Sequence, residues 1–219
     1  EILASAPGYH ASYDRAYSFL GVRGFNRGDY NSRVLLLVDG HRVNNNLSDG
    51  GYLGTEFILD TDLIDTVEII RGPGAVLYGN NAFFGVVNVR TRRGRDAEGT
   101  GGETSFAAGS FDTFEGRATY GHQWENGLEL LLSGTLYDSA GPGDLDFINV
   151  DPTDSRARNF TATDCNDENH QKVFGSLTWN DLILSGAFMA REKGDPTAPD
   201  TSEYGDPRNR AYDHRGYAD

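Results

Sequence analysis

Three groups of residues have the types and spacing that chemistry could use. Cys165 lies near His170, Asp164, Asp167 and Glu168. A thiol beside an imidazole and carboxylates is the raw material of a cysteine nucleophile or a metal site. All five fall in the polar stretch 138–170, which reads as a solvated loop. A single cysteine supplies neither an intramolecular disulfide nor a cysteine-based zinc site. Asp60, Asp62 and Asp65 carry oxygens that suit calcium, but their spacing lacks the loop glycine and closing glutamate of an EF-hand. Capping of a helical turn explains them better. Gly72-Pro73-Gly74 is not a phosphate loop, because no Gly-Lys-Ser/Thr follows. These patterns assign no catalytic residue, no cofactor and no metal.

Composition narrows the class. The 219 residues carry a formal charge of −14, which argues against a nucleic-acid partner. Gly (28 residues) and aromatics (11%) are frequent and Pro (7) is scarce, as in β structure with many turns. No run of about 18 apolar residues exists, so no transmembrane helix is expected; spanning strands need only about 10 residues each. No signal peptide is seen, and the chain starts at Glu1-Ile2-Leu3 without Met. The native N-terminus is therefore expected to lie outside it.

The elements that would position these residues fall into two regimes. Residues 1–94 read as a compact α+β domain with a small mixed sheet. Val34-Leu35-Leu36-Leu37-Val38 fits a strand buried on both faces. Asp39-Gly40 predicts a turn, and His41-Arg42-Val43 a returning strand. Asp60, Thr61 or Asp62 caps a helical turn that becomes a strand through Ile64–Arg71. Gly72-Pro73-Gly74 ends that strand, Ala75–Tyr78 makes one helical turn stopped by Gly79, and Gly85–Arg92 is a further strand. Residues 95–101 read as a glycine-rich linker.

From 102 to 219 the pattern has period two. Phe114, Gly116, Ala118, Tyr120, His122 and Trp124 share one face; Leu128, Leu130, Leu132, Gly134 and Leu136 continue it if Glu125-Asn126-Gly127 is a three-residue loop pairing Trp124 with Leu128. Val173, Gly175, Leu177 and Trp179 join Leu182, Leu184, Gly186, Phe188 and Ala190 across Asn180-Asp181. With a weaker strand over Gly102–Ala108, about five strands are expected. Short turns alternate with long acidic connections at 138–170 and from 192 onward. Trp124 and Trp179 sit at the short-turn ends, where an aromatic girdle belongs. This asymmetry is the signature of a transmembrane barrel. A soluble antiparallel sheet also alternates, so a soluble or surface β-rich binding module remains the competing reading.

Four ordered blocks carry a resemblance. Gly21-Val22-Arg23-Gly24-Phe25, Arg33–Asn44, Ile64–Gly79 and Ala82–Val89 resemble the plug of TonB-dependent outer-membrane receptors, over about 75 residues of the chain. The resemblance implies an α+β plug domain followed by antiparallel strands of an incomplete transmembrane β-barrel, one that in this family has about 22 strands. It implies a Gram-negative outer-membrane location and no enzymatic activity. The expected cargo is a scarce nutrient such as a ferric siderophore or cobalamin, with iron transport as one expression of siderophore uptake. TonB is the implied partner, gripping an N-terminal box that is not in this sequence; outer-membrane lipid is the other. Glu68, Arg71, Gly72, Pro73, Gly74, Tyr78 and Gly79 match the central plug motif. Arg71 is expected to pair with barrel-wall carboxylates, because buried charge needs a partner. Asn44, Asn45, Asn46, Asp49 and Tyr52 are expected in an apical, ligand-contacting loop.

Overall fold

A computed structural model describes residues 3–24, 30–97, 101–148, 153, 159–197 and 203–219. Phe25 and residues 98–100 of the linker lie outside the described residues.

The chain opens with a hairpin, β1 (Tyr9–Tyr13) and β2 (Ser18–Val22). A small mixed sheet follows, built from β3 (Val34–Val38), β4 (His41–Arg42), β5 (Ile64–Arg71) and β6 (Gly85–Thr91) in the order β4-β3-β6-β5. β3 and β6 run parallel; the other neighbours are antiparallel. All five residues of β3 are buried, because each face meets its own apolar cluster. Leu36 and Val38 join Val87, Val89, Leu59 and Leu63, while Leu35 and Leu37 meet Ala82 and Val86. Asp39 and Gly40 both take positive φ in the expected turn. Asp60 caps the 3-10 turn Thr61–Leu63 by accepting from the Asp62 N–H at 2.9 Å, and β5 starts directly after it. α1 (Ala75–Tyr78) is one turn, ended by Gly79 at φ 76°.

The second sheet has six strands in the order β14-β13-β12-β9-β8-β7, every neighbour antiparallel. They are β7 (Gly102–Gly109), β8 (Thr113–Gln123), β9 (Glu129–Ser139), β12 (Glu168–Trp179), β13 (Leu182–Gly194) and β14 (Arg210–Ala218). The expected registers hold. The Trp124 N–H donates to the Leu128 carbonyl at 2.8 Å, with Gly127 at φ 81°, and Trp179 pairs with Leu182.

The two long connections are more ordered than their acidity suggested. Within 138–170, β10 (Asp144–Ile148) and β11 (Asn159–Thr163) form a hairpin, and β12 already begins at Glu168. The carboxylates of Asp144 and Asp146 accept from the hydroxyls of Thr163 and Thr161 directly opposite, at 2.8 and 2.7 Å. Acid residues are thus cross-strand partners here. The stretch from 192 onward contains a sixth strand, β14, whose inward Asp213 pairs with Arg191 and Arg215 and accepts from the Tyr17 hydroxyl, while Arg215 also donates to the Glu56 carbonyl.

The polarity of the large sheet is inverted relative to a soluble one. On β8, Phe114, Ala118 and Tyr120 are exposed, whereas Arg117, Thr119 and Gly121 are buried. Leu132, Leu136, Val173, Leu184 and Phe188 continue the exposed face; Ser133, Thr135, Lys172 and Arg191 continue the buried one. The buried face lies against the small sheet. Trp124 and Trp179 are both exposed at the short-turn ends.

Candidate functional site

The two ends of the molecule are distinguishable. The turns at 125–127 and 180–181 mark one end. There the chain leaving β6 comes so close to the large sheet that a Cβ on Gly94 would collide with the carbonyl oxygens of Leu130 and His122. The C-terminal ends of β3 and β6 therefore point to the short-turn end. Their N-terminal ends, with the segments 44–52 and 72–84, point to the end of the long connections.

Two buried asparagines shape that upper end. Asn44 accepts from the Leu36 N–H at 2.8 Å and donates to the carbonyls of Val34 and Asp49 at 3.0 and 2.9 Å. Asn31 accepts from the Leu20 N–H at 2.6 Å and donates to the carbonyls of Ser18 and Gly51 at 2.9 and 2.7 Å. Each satisfies three main-chain groups that have no ladder partner. Asn45 closes the tip of the 44–50 loop, accepting from the N–H groups of Leu47 and Ser48. Asn46 and Leu47 are left exposed, and Asp49 pairs with Arg42 at 2.5 Å. Tyr52 turns inward and lies under the Arg215 guanidinium, 3.3 Å from its ring centroid. Tyr17, Tyr30 and Phe19 gather beside it, with centroid separations of 5.5 to 6.3 Å.

The 72–84 segment closes on itself. The Gly72 N–H donates to the Phe84 carbonyl at 3.0 Å, the Gly74 N–H to the Ala82 carbonyl at 2.8 Å, and Gly72 takes φ 99°. Pro73 and Tyr78 are exposed along it. Asn81 ties it to the Ser32 and Asp49 carbonyls, so both upper segments move as neighbours. Glu68 accepts from the Asn88 side chain at 2.7 Å, and Arg71 donates to the Pro7 carbonyl at 3.4 Å. Arg71 meets no carboxylate of the large sheet among the described residues.

The chemistry-bearing patterns do not assemble into a reaction site. The Cys165 thiol donates to the carbonyls of Thr163 and Gly205 at 2.9 and 3.0 Å. His170 stacks on Tyr137 at 4.6 Å, within β12 and β9. Asp60, Asp62 and Asp65 diverge to Thr135, Arg117 and Thr66. No group of three or more His, Cys, Asp or Glu side chains converges on a metal-sized space among the described residues.

Sequence reading missed the charges that join the two sheets. Arg191, buried at 2%, donates to Glu168 at 2.8 Å, to Asp213 at 2.9 Å and to the Ala16 carbonyl at 2.8 Å. Arg215 donates to Asp213 and to the Glu56 carbonyl, Lys172 to the Leu59 carbonyl. The available signal was parity: Lys172, Arg191, Lys193, Asp213 and Arg215 all fall on the polar register of their strands, facing inward.

Residues 1–86 match the family model described as TonB-dependent Receptor Plug Domain. Over these residues the chain carries a TonB-dependent receptor plug domain. It is 35% identical to Vitamin B12 transporter BtuB of Vibrio vulnificus over 144 residues, 64% of this chain and 22% of that one. It is 36% identical to Rhizobactin receptor of Rhizobium meliloti over 120 residues, 49% of this chain and 15% of that one. The chain thus spans about a fifth or less of the length of these curated relatives. Among solved structures, the copper transporter OprC superposes with a TM-score of 0.62 at 18% identity, covering 89% of this chain and 28% of its own. The FrpB iron transporter from Neisseria meningitidis superposes with a TM-score of 0.60 at 18% identity, covering 99% and 34%. At that identity the likeness is one of fold: a plug seated against barrel strands. The small sheet and its loops have the fold of the plug, and the six strands that of the barrel wall.

Proposed function

We propose that this receptor binds a scarce extracellular nutrient of the ferric siderophore or cobalamin class and gates its energised uptake through the barrel. The observation that carries this reading is the inverted wall. A continuous apolar face is exposed while the charged face is covered by the plug, as required of strands standing in lipid around a polar interior. A soluble β-rich module would bury its apolar face, so the exposed one weighs against that alternative. The names of the relatives, a vitamin B12 transporter and a rhizobactin receptor, support the cargo class.

Within this reading the chain divides into plug (1–94), linker (95–101) and wall strands with their outer loops (102–219). TonB is the energising partner and outer-membrane lipid surrounds the wall. The protein is a carrier rather than an enzyme. Asn46, Asp49 and Tyr52 supply ligand contacts at the upper end, where Asn44 and Asn45 set the loop's shape. Glu68 and Arg71, with Gly72, Pro73, Gly74, Tyr78 and Gly79, make up the plug motif, and Arg71 pairs with a wall carboxylate beyond the six strands present here.

The test is a Trp-fluorescence titration of the full-length, detergent-solubilised receptor against ferric siderophores, cobalamin, heme and oligosaccharides. Saturable quenching by a siderophore or cobalamin is the expected outcome. Saturation only by a sugar, or by none of the panel with a folded barrel, would remove this cargo assignment.

A further inference from the structure

The plug segment 52–62 contains no strand, apart from the short 3-10 turn at its end, yet Phe57, Ile58 and Leu59 within it are buried. Its main-chain carbonyls have no ladder to join, and burying them unpaired would be costly. Two of these carbonyls, and two carboxylates of the segment, find partners on the wall. Arg215 on β14 donates to the Glu56 carbonyl at 2.7 Å. Lys172 on β12 donates to the Leu59 carbonyl at 3.3 Å. Thr135 on β9 donates its hydroxyl to the Asp60 carboxylate at 2.5 Å. Arg117 on β8 pairs with the Asp62 carboxylate at 2.7 Å.

These four wall residues belong to a single cross-strand row. Arg117 is the register partner of Thr135, Thr135 of Lys172, Lys172 of Met189, and Met189 of Arg215. Met189 contributes the apolar member and is fully buried in the cluster that contains Leu59. The strap Glu56–Asp62 therefore follows one register row across five wall strands, with polar contacts on β8, β9, β12 and β14 and a shared apolar cluster at β13.

We infer that the row Arg117–Thr135–Lys172–Met189–Arg215 is a positioning belt that seats the plug on the wall through its strap, fixing the register in which the plug sits against the strands. Two of its contacts go to main-chain carbonyls, so the belt holds the strap's path whatever its side chains. The belt anchors 54–62, and at Tyr52, under the Arg215 guanidinium, it also touches the end of the upper segment 44–52, whereas 72–84 is held to its neighbours Ser32 and Asp49 and to Arg33. The inference rests on the plug-and-wall reading.

Amide hydrogen exchange of the full-length receptor in detergent tests it. Arg215→Met removes one belt contact and leaves Asp213 paired with Arg191, so the wall retains its buried ion pair. Lys172→Met and Lys172→Arg form a second pair of variants. Exchange in peptides spanning 54–62 is expected to rise roughly tenfold in Arg215→Met and Lys172→Met. It should stay near wild type in Lys172→Arg, which keeps a donor, and peptides of β6 (85–91) should be unchanged in all three. Unchanged exchange over 54–62 in Arg215→Met would overturn the belt, as would an equal rise over 54–62 and 85–91, the mark of a plug loosened as a whole. Neither result depends on cargo, so a failed belt and a failed cargo assignment are separable.

Discussion

At the scale of single residues, polar side chains in this molecule mostly serve the backbone. Asn31 and Asn44 each bind three main-chain groups, and Arg191 is held by two carboxylates so that its remaining amino group reaches the Ala16 carbonyl. Cys165 follows the same pattern, its thiol donating to two carbonyls. Burial first, then the charges of Asp164, Asp206 and Asp167, push that thiol above its ordinary value of 9.0. The folded state thus favours the protonated form. Its contribution is complete below pH 9.0 and is lost as the pH rises through the folded value. The thiolate is the nucleophile, so alkylation by iodoacetamide at pH 8 should lag well behind that of glutathione and catch up on denaturation. Equal rates in the native protein would show that Cys165 is reached by solvent as an ordinary thiol.

At the scale of elements, the wall hairpins are determined locally, whereas the pairing of the plug strands is not. The turn at 125–127 works because Gly127 adopts φ 81°, where a side chain is strained. Gly127→Val should cost about 1–2 kcal/mol and slow barrel assembly, read as a larger unfolded fraction by heat-modifiable gel mobility after refolding. Wild-type yield and rate would mean the turn does not set the β8–β9 register. β3 and β6 differ in kind. They pair in parallel across 46 intervening residues, so their ladder forms only when the crossover, the capped turn and β5 have all been placed.

At the scale of the whole molecule, the two faces of the wall answer to two solvents. In the proposed membrane setting the outward face meets lipid, and the inward face meets a plug that supplies carbonyls and carboxylates. Charge is therefore tolerated at Lys172 or Arg191 and excluded one residue away. Leu132, near the middle of β9 and exposed, makes the sharpest comparison. Leu132→Arg should destabilise the bilayer-embedded receptor by about 2–4 kcal/mol if it lies near the membrane midplane, and less toward either surface. Denaturant unfolding from liposomes measures it. A near-neutral Leu132→Arg would mean that this face does not stand in hydrocarbon.

The sequence alone determined the wall hairpins, the fully buried β3, a capped turn near 60–63 and the closing glycines around α1. Each of these rests on local signals: period-two alternation, a turn residue at a fixed offset, or a cap. Only the tertiary structure decided the rest. The hairpin at 9–22, the strands inside the acidic connections and the inward turn of Asn44 were illegible, because no periodic or turn signal marks the partners that their polar residues find on folding, some near in the chain, as for Asn44, and some distant, as for Asp213. Asp213 needs Arg191 and Tyr17, and Arg215 needs Glu56. The same distance hid the row of five wall residues along the strap. Their parity is written in the sequence, but their shared row follows from strand register, and their purpose from a segment of irregular backbone that has no ladder to join.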